Sequence, residues 1–172
     1  TEIIKEVDGS DHPNYIMSLS NLAFSYFETG NFTEAVRLET EVAEIIKKVD
    51  GSNHPNYAIS LSRLGDYYTY QGSYNEALRI GIEANDLLKK NVGTEHHEYA
   101  RSLSNLARIY SKLGNFTKAI SLESLAMEID KRLYSKDSRN YATSLSNLAG
   151  YYKDIGNYAE TIRLMTEAKD IY

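Results

Sequence analysis

Apolar side chains recur along this chain in a helical rhythm, and the rhythm itself repeats. From Tyr99 they fall at Tyr99, Leu103, Leu106 and Tyr110. The spacing i, i+4, i+7, i+11 lines one face of an α-helix. Gly114 is expected to end that helix, because glycine is the usual residue where the backbone turns left-handed. Asn115 then opens a second helix, with Ala119, Leu122, Ala126 and Ile129 on its inner face. The block is written four times: YIMSLSNLAFSYFETGNF from Tyr15, YAISLSRLGDYYTYQGSY from Tyr57, YARSLSNLARIYSKLGNF from Tyr99 and YATSLSNLAGYYKDIGNY from Tyr141. Its closing glycines, Gly30, Gly72, Gly114 and Gly156, set a period of 72 − 30 = 42 residues. A constant period of this kind predicts stacked helix pairs whose neighbours bury one continuous core.

Ile3, Ile45, Leu87, Ile129 and Ile171 occupy one repeat position. The chain is therefore expected to open late in a helix of a preceding repeat (residues 1–8). Repeats over 9–50, 51–92 and 93–134 follow, then a shortened fourth over 135–172. Composition is even throughout, so a single continuous solenoid domain is expected. Asp11-His12-Pro13 and Asn53-His54-Pro55 begin the first helices of two units, where a first-turn proline is tolerated. In the third unit Glu95 is expected to cap, with His96 and His97 in the first turn. Second helices start with capping-box spacing at Asn31-x-x-Glu34, Ser73-x-x-Glu76 and Asn157-x-x-Glu160, and Lys118 departs from it. Ala23, Gly65, Ala107 and Ala149 sit where a small side chain lets two helices approach closely.

These motifs carry a family resemblance. Leu61-x-x-Leu64-Gly65-x-x-Tyr68 followed by Ala77 resembles the tetratricopeptide repeat signature. The longer form found in kinesin light chains is more similar still. Its motifs read here as Asp11-His12-Pro13, Leu145-Ser146-Asn147-Leu148-Ala149 and Gly72-Ser73-Tyr74-Asn75-Glu76-Ala77. The resemblance implies an all-α fold, a right-handed α-α superhelix of antiparallel helix pairs with the first helices lining its concave side. The chain departs from the family at the aromatic four residues after the alanine, which is Glu39, Gly81, Glu123 and Met165 here. The fourth unit has Ser138-Arg139 in place of His-Pro.

Composition narrows the function. A net charge of −5 argues against nucleic acid as a partner, since phosphate neutralisation needs a basic surface. The chain has no cysteine, which removes disulfides and thiol catalysis and suits a cytoplasmic setting. No apolar run is long enough to span a membrane. His12, His54 and His96 recur one per repeat, too far apart to share a metal, and no cofactor is expected. The repeated serines have no general base within reach by helical spacing, so an enzyme is not expected. Lys47-Lys48 and their copies read as cations at helix C-termini, opposite the negative end of the dipole. Asn31-Phe32-Thr33 and Asn115-Phe116-Thr117 match a glycosylation pattern that helix capping explains equally well.

One constellation remains. The stripe of each first helix that points away from its core Leu collects Met17, Asn21 and Phe24, then Ile59, Arg63 and Tyr70, then Arg101, Asn105, Arg108 and Lys112, then Asn147. Asn21, Asn105 and Asn147 form a column broken by Arg63, and an asparagine offers donor and acceptor together, which suits a peptide backbone. Arg63, Arg101, Arg108 and Lys112 are a positive cluster in an acidic protein. The expectation is a non-enzymatic scaffold that grips an extended, apolar and acidic peptide of a partner protein in a groove. The competing expectation is a structural or regulatory spacer arm without its own ligand, self-associating through its ends at Ile3-Ile4 and Ile171-Tyr172.

Overall fold

A computed structural model describes residues 12–136 and 138–171, so the expected leading fragment over 1–8, Ile3-Ile4 and Tyr172 lie outside the described residues. Among the described residues there are eight helices and no strand. They are α1 (Pro13–Glu28), α2 (Phe32–Val49), α3 (Pro55–Gln71), α4 (Tyr74–Asn91), α5 (His97–Lys112), α6 (Phe116–Tyr134), α7 (Arg139–Asp154) and α8 (Tyr158–Lys169).

Side chains at each helix start explain where the helices begin. His12, His54 and His96 are themselves the N-caps of α1, α3 and α5. Each Nδ1 accepts a hydrogen bond from the backbone N–H two residues on, at Asn14, Asn56 and Glu98. This corrects the expectation for the third unit. Glu95 does not cap α5; it accepts a bidentate pair of 2.9 Å bonds from Arg132. Repeat four places Ser138 at the histidine position, and its hydroxyl accepts from the Tyr141 N–H. Asn31, Asn115 and Asn157 cap the second helices by accepting from the third residue on, Lys118 included, because the cap needs only that residue's backbone N–H. The acidic partners of the expected boxes turn outward instead: Glu34, Glu76 and Glu160 each pair with an arginine three residues later.

The chain divides into two compact units, 1–87 and 88–172, with the division inside α4. In the first, α2 packs on α1 and α3. Tyr15, Leu19, Val42, Ile46, Leu61 and Leu64 share one buried cluster there. A Cβ added to Gly65 would meet the backbone of Ala77 and Gly81 at 3.5 Å, ordinary contact, so this position has room for an alanine. In the second unit α6 packs on α5 and α7, and α8 on α7. Leu103, Leu106, Ile109 and Ile129 are buried, and Leu145, Leu148 and Leu164 form a further cluster.

Candidate functional site

The outward stripes of the first helices open into two clefts, one in each unit. The first lies among α1, the C-terminal end of α2 and α3. Pro13, Ile16, Met17, Ile46, Val49 and Ile59 give it apolar walls, and Ser20, Asn21, Asp50, Asn56 and Arg63 supply polar atoms, around a volume of about 360 Å³. The second, about 230 Å³, lies among α5, α6 and α7. It is the same place in the repeat, displaced by 101 − 17 = 84 residues, with most of its walls exchanged for polar ones. Met17 is matched by Arg101, Ile46 by Asp130, Ile59 by Thr143 and Arg63 by Asn147, while Ser20 and Asn21 recur as Ser104 and Asn105.

A fully buried carboxylate stands behind each cleft. Glu39 of α2 accepts from Ser60 at 2.8 Å and, more weakly, from Ser20 at 3.4 Å. Arg63 Nε lies 3.1 Å from its Oε1, an ion-pair contact whose N–H is not aligned on the oxygen. Burial pushes Glu39 above the ordinary carboxylate range, and Arg63 and the two hydroxyls pull it back. Glu123 of α6 repeats the arrangement with one exchange. Ser104 donates at 3.2 Å and Asn147 at 3.1 Å to Oε1, in place of a guanidinium. Burial raises Glu123 as well; Asn147, Ser144 and Ser104 oppose it ahead of the more distant Arg108. Oε2 of Glu123 makes no aligned hydrogen bond. Asp130, also in the second cleft, is pushed up to about 6 by burial, with His97 opposing.

The structure therefore sorts the residues expected to form the site. Met17, Asn21, Ile59 and Arg63 line the first cleft, and Arg101, Asn105, Arg108 and Asn147 line the second. Phe24 and Lys112 are exposed and line neither. Tyr70 belongs to an aromatic group at the far end of its helix, edge-on to Phe27 at 5.0 Å and 5.9 Å from Phe32. The positive cluster is largely engaged: Arg63 with Glu39, Arg101 with Glu98, and Arg108 donating to Asn105 at 2.7 Å. The asparagine column holds two roles in alternation. All four positions line a cleft, and positions 63 and 147 also meet a buried glutamate. The serines also gain partners that spacing within one helix did not reveal, because the carboxylates reach them from the neighbouring helix.

The sequence reading missed Glu39 and Glu123 as parts of the site. The signal was a charge, 123 − 39 = 84 residues apart, at a position where the family carries an aromatic ring. Among the described residues no group of three or more His, Asp or Glu could hold a metal, and no helix is long and apolar enough to cross a membrane.

Comparison with known proteins agrees with this repeat architecture. The tetratricopeptide repeat profile matches residues 18–90, 68–131 and 98–172. The crystal structure of a candidate kinesin light chain from Podosopora anserina with nearly identical TPR-like repeats is similar at 26% identity and a TM-score of 0.73, covering 99% of this chain and 81% of that one. Its Q17M form gives 26% identity and a TM-score of 0.77, over 99% and 80%. BtubC (BKLC) from P. vanneervenii shares the fold at 18% identity and a TM-score of 0.78, over 91% of this chain and 63% of that one. No protein of curated function matches. With the profile spanning most of the 172 residues, the fold is an α-solenoid and the chain belongs to the tetratricopeptide repeat family.

Proposed function

We propose that the chain is a non-enzymatic interaction module that binds an extended segment of a partner protein, with the two clefts as its side-chain subsites. Tetratricopeptide repeats generally mediate protein–protein interaction. The observation that carries the reading is that one repeat position opens into a cleft twice, once with apolar walls and once with Arg101 and Arg108. Apolar walls favour a large apolar residue. Arginines favour Asp or Glu through charge-assisted hydrogen bonds, which are the stronger kind. The reading places the module in the cytoplasm, a setting that a cysteine-free chain permits. Its test is a fluorescence-polarisation screen of peptides combining apolar and acidic residues, followed by the Arg101→Glu/Arg108→Glu variant at low and moderate salt. A salt-sensitive loss for acidic peptides with helicity unchanged is expected. Equal binding by the charge-reversed protein, or no binder at all, would leave the spacer arm as the better account.

A second reading, self-association, is favoured by α8. Tyr158, Ile162 and Met165 are exposed on one face of it. One and three repeats earlier, Met165 corresponds to Glu123 and Glu39, both covered by the first helix of the next pair. A second copy offering a helix to this face would cover it. Sedimentation of the chain and of Ile162→Glu at high concentration tests this: a monomer in both counts against it.

A further inference from the structure

The first cleft differs from an ordinary arginine-bearing groove in what stands behind its arginine. Arg63 is the one cation among the described residues lining it. Its side chain is about a third exposed, so it reaches the cleft, yet its Nε lies 3.1 Å from a carboxylate that is wholly out of solvent. Glu39 accepts from Ser60 and Ser20; burial raises its pKa, and the adjacent guanidinium and the two hydroxyls favour its ionised form. Among the described residues of the lining, the other formal charge is Asp50, a further negative group. The cleft thus contains an arginine but carries no net positive charge. The rest of its wall is apolar Pro13, Ile16, Met17, Ile46, Val49 and Ile59 with neutral Ser20, Asn21 and Asn56, and its 360 Å³, at the small end of ligand pockets, has room for one large side chain.

We infer that Glu39 is the specificity-determining residue of the first cleft: by cancelling the charge of Arg63 from behind, it makes this subsite select a large apolar side chain and reject a carboxylate. The inference rests on the peptide-binding reading and narrows it, because Arg63 no longer belongs among the groups that read acidic residues. Separating the pair would leave the wholly buried Glu39 without its cation, which is costly. An incoming Asp or Glu would have to compete with Glu39 for a guanidinium already held, while facing Asp50. An apolar side chain disturbs neither group and covers apolar wall that is otherwise wet. The second cleft shows what the exchange does: with Asn147 at the position of Arg63, Glu123 meets a neutral donor there, and the cations of that cleft, Arg101 and Arg108, sit at other positions.

The experiment follows the methyl resonances of Met17 and Ile59 in the full chain. The probes are N-acetyl-leucine amide and N-acetyl-aspartate amide, each titrated at millimolar concentration. In the unaltered protein the leucine probe should shift both methyls and the aspartate probe neither. Glu39→Gln retains an acceptor for Ser60 and leaves Arg63 uncompensated. It should raise affinity for the aspartate probe by roughly five- to tenfold, the scale of one ordinary hydrogen bond, and salt should remove the gain. Glu39→Gln/Arg63→Gln should lose it again. If Glu39→Gln does not fold, Glu39→Met, the residue repeat four carries at Met165, takes its place. The inference is overturned if the aspartate probe shifts the methyls of the unaltered protein as strongly as the leucine probe does. It is equally overturned if the variants leave the preference unmoved, or if neither probe reaches the cleft. Failure of the peptide screen with the probe preference intact would instead count against the wider reading alone.

Discussion

Asn147 donates its Nδ2 hydrogen to Oε1 of Glu123 over 3.1 Å, so an amide stands beside a buried carboxylate where a cation would be expected. Two repeats earlier the same position holds Arg63 against Glu39. The serines around the two carboxylates are retained, Ser20 and Ser60 for Glu39, Ser104 and Ser144 for Glu123. The repeats that begin α3 and α7 thus answer the same buried charge in two ways, one ionic and one by neutral donors.

The neutral answer has a pH dependence with a definite sign. Burial raises Glu123 above its unfolded value, so the folded state favours the protonated form. The associated stability is fully present below the unfolded pKa and is lost as pH rises toward the folded one. Glu123→Gln keeps an acceptor for Ser104 and Asn147 and has no charge to bury. It should stabilise the chain by roughly 1–3 kcal/mol at pH 8, the range for relieving an unsatisfied buried group, and by less at pH 5. Urea unfolding at the two pH values measures the difference. A variant less stable than the parent at pH 8 would mean that Glu123 is held as a carboxylate fully satisfied by its donors.

Much of this chain could be read without a structure, for a physical reason. Leu19, Leu61, Leu103 and Leu145 are buried because four copies of one pattern fix one face, and the helix ends follow from Asn31, Gly72, Gly114 and Asn157 acting on their own neighbours. Such signals are local. The site was only half legible because its decisive contacts cross between helices. That Arg63 projects away from Leu61 follows from helical geometry. That Glu39 waits behind it depends on how α2 packs against α3, which no spacing within either helix states. Glu95 misled for a different reason: an acidic residue before a helix looks like a cap, but the histidine after it holds the geometry, and Glu95 finds Arg132.

Histidine as an N-cap makes its own prediction. His96 Nδ1 accepts from the Glu98 N–H at 3.2 Å, satisfying one of the donors a helix start leaves open. His96→Ala should cost about 1 kcal/mol, the usual loss for a removed cap. His96→Ser should recover most of it, since Ser138 performs that task in repeat four. Equal stability of the two variants in thermal unfolding would show that the cap contributes nothing.

Leu106 tests the choice of core face. It is 5% exposed on α5, on the stripe with Tyr99 and Leu103. Leu106→Ala should lose about 2–5 kcal/mol, the cost of a buried leucine truncated to leave a cavity. Chemical denaturation reads this directly, and a loss below ~0.5 kcal/mol would be a surface value.

The two answers to the buried carboxylate can be exchanged. Arg63→Asn installs at Glu39 the amide that Asn147 presents to Glu123. The local serines remain, so Glu39 keeps its hydroxyl donors, but the guanidinium that pulls it back toward ionisation is gone. Removing one partner of a buried pair leaves a charge without compensation and costs about 3–5 kcal/mol. Glu39 can escape that cost by taking a proton, so the penalty should be small near pH 5 and grow as pH rises. Asn147→Arg makes the opposite change. A guanidinium beside Glu123 should lower its folded pKa, and the stability otherwise lost toward pH 8 should be partly restored. The comparison is made by urea unfolding of both variants and the parent from pH 5 to pH 8. The expected result is a steeper fall with pH for Arg63→Asn and a shallower one for Asn147→Arg. Parallel profiles for all three would show that residues 63 and 147 do not set the charge state of the glutamates behind them, and that some other group does.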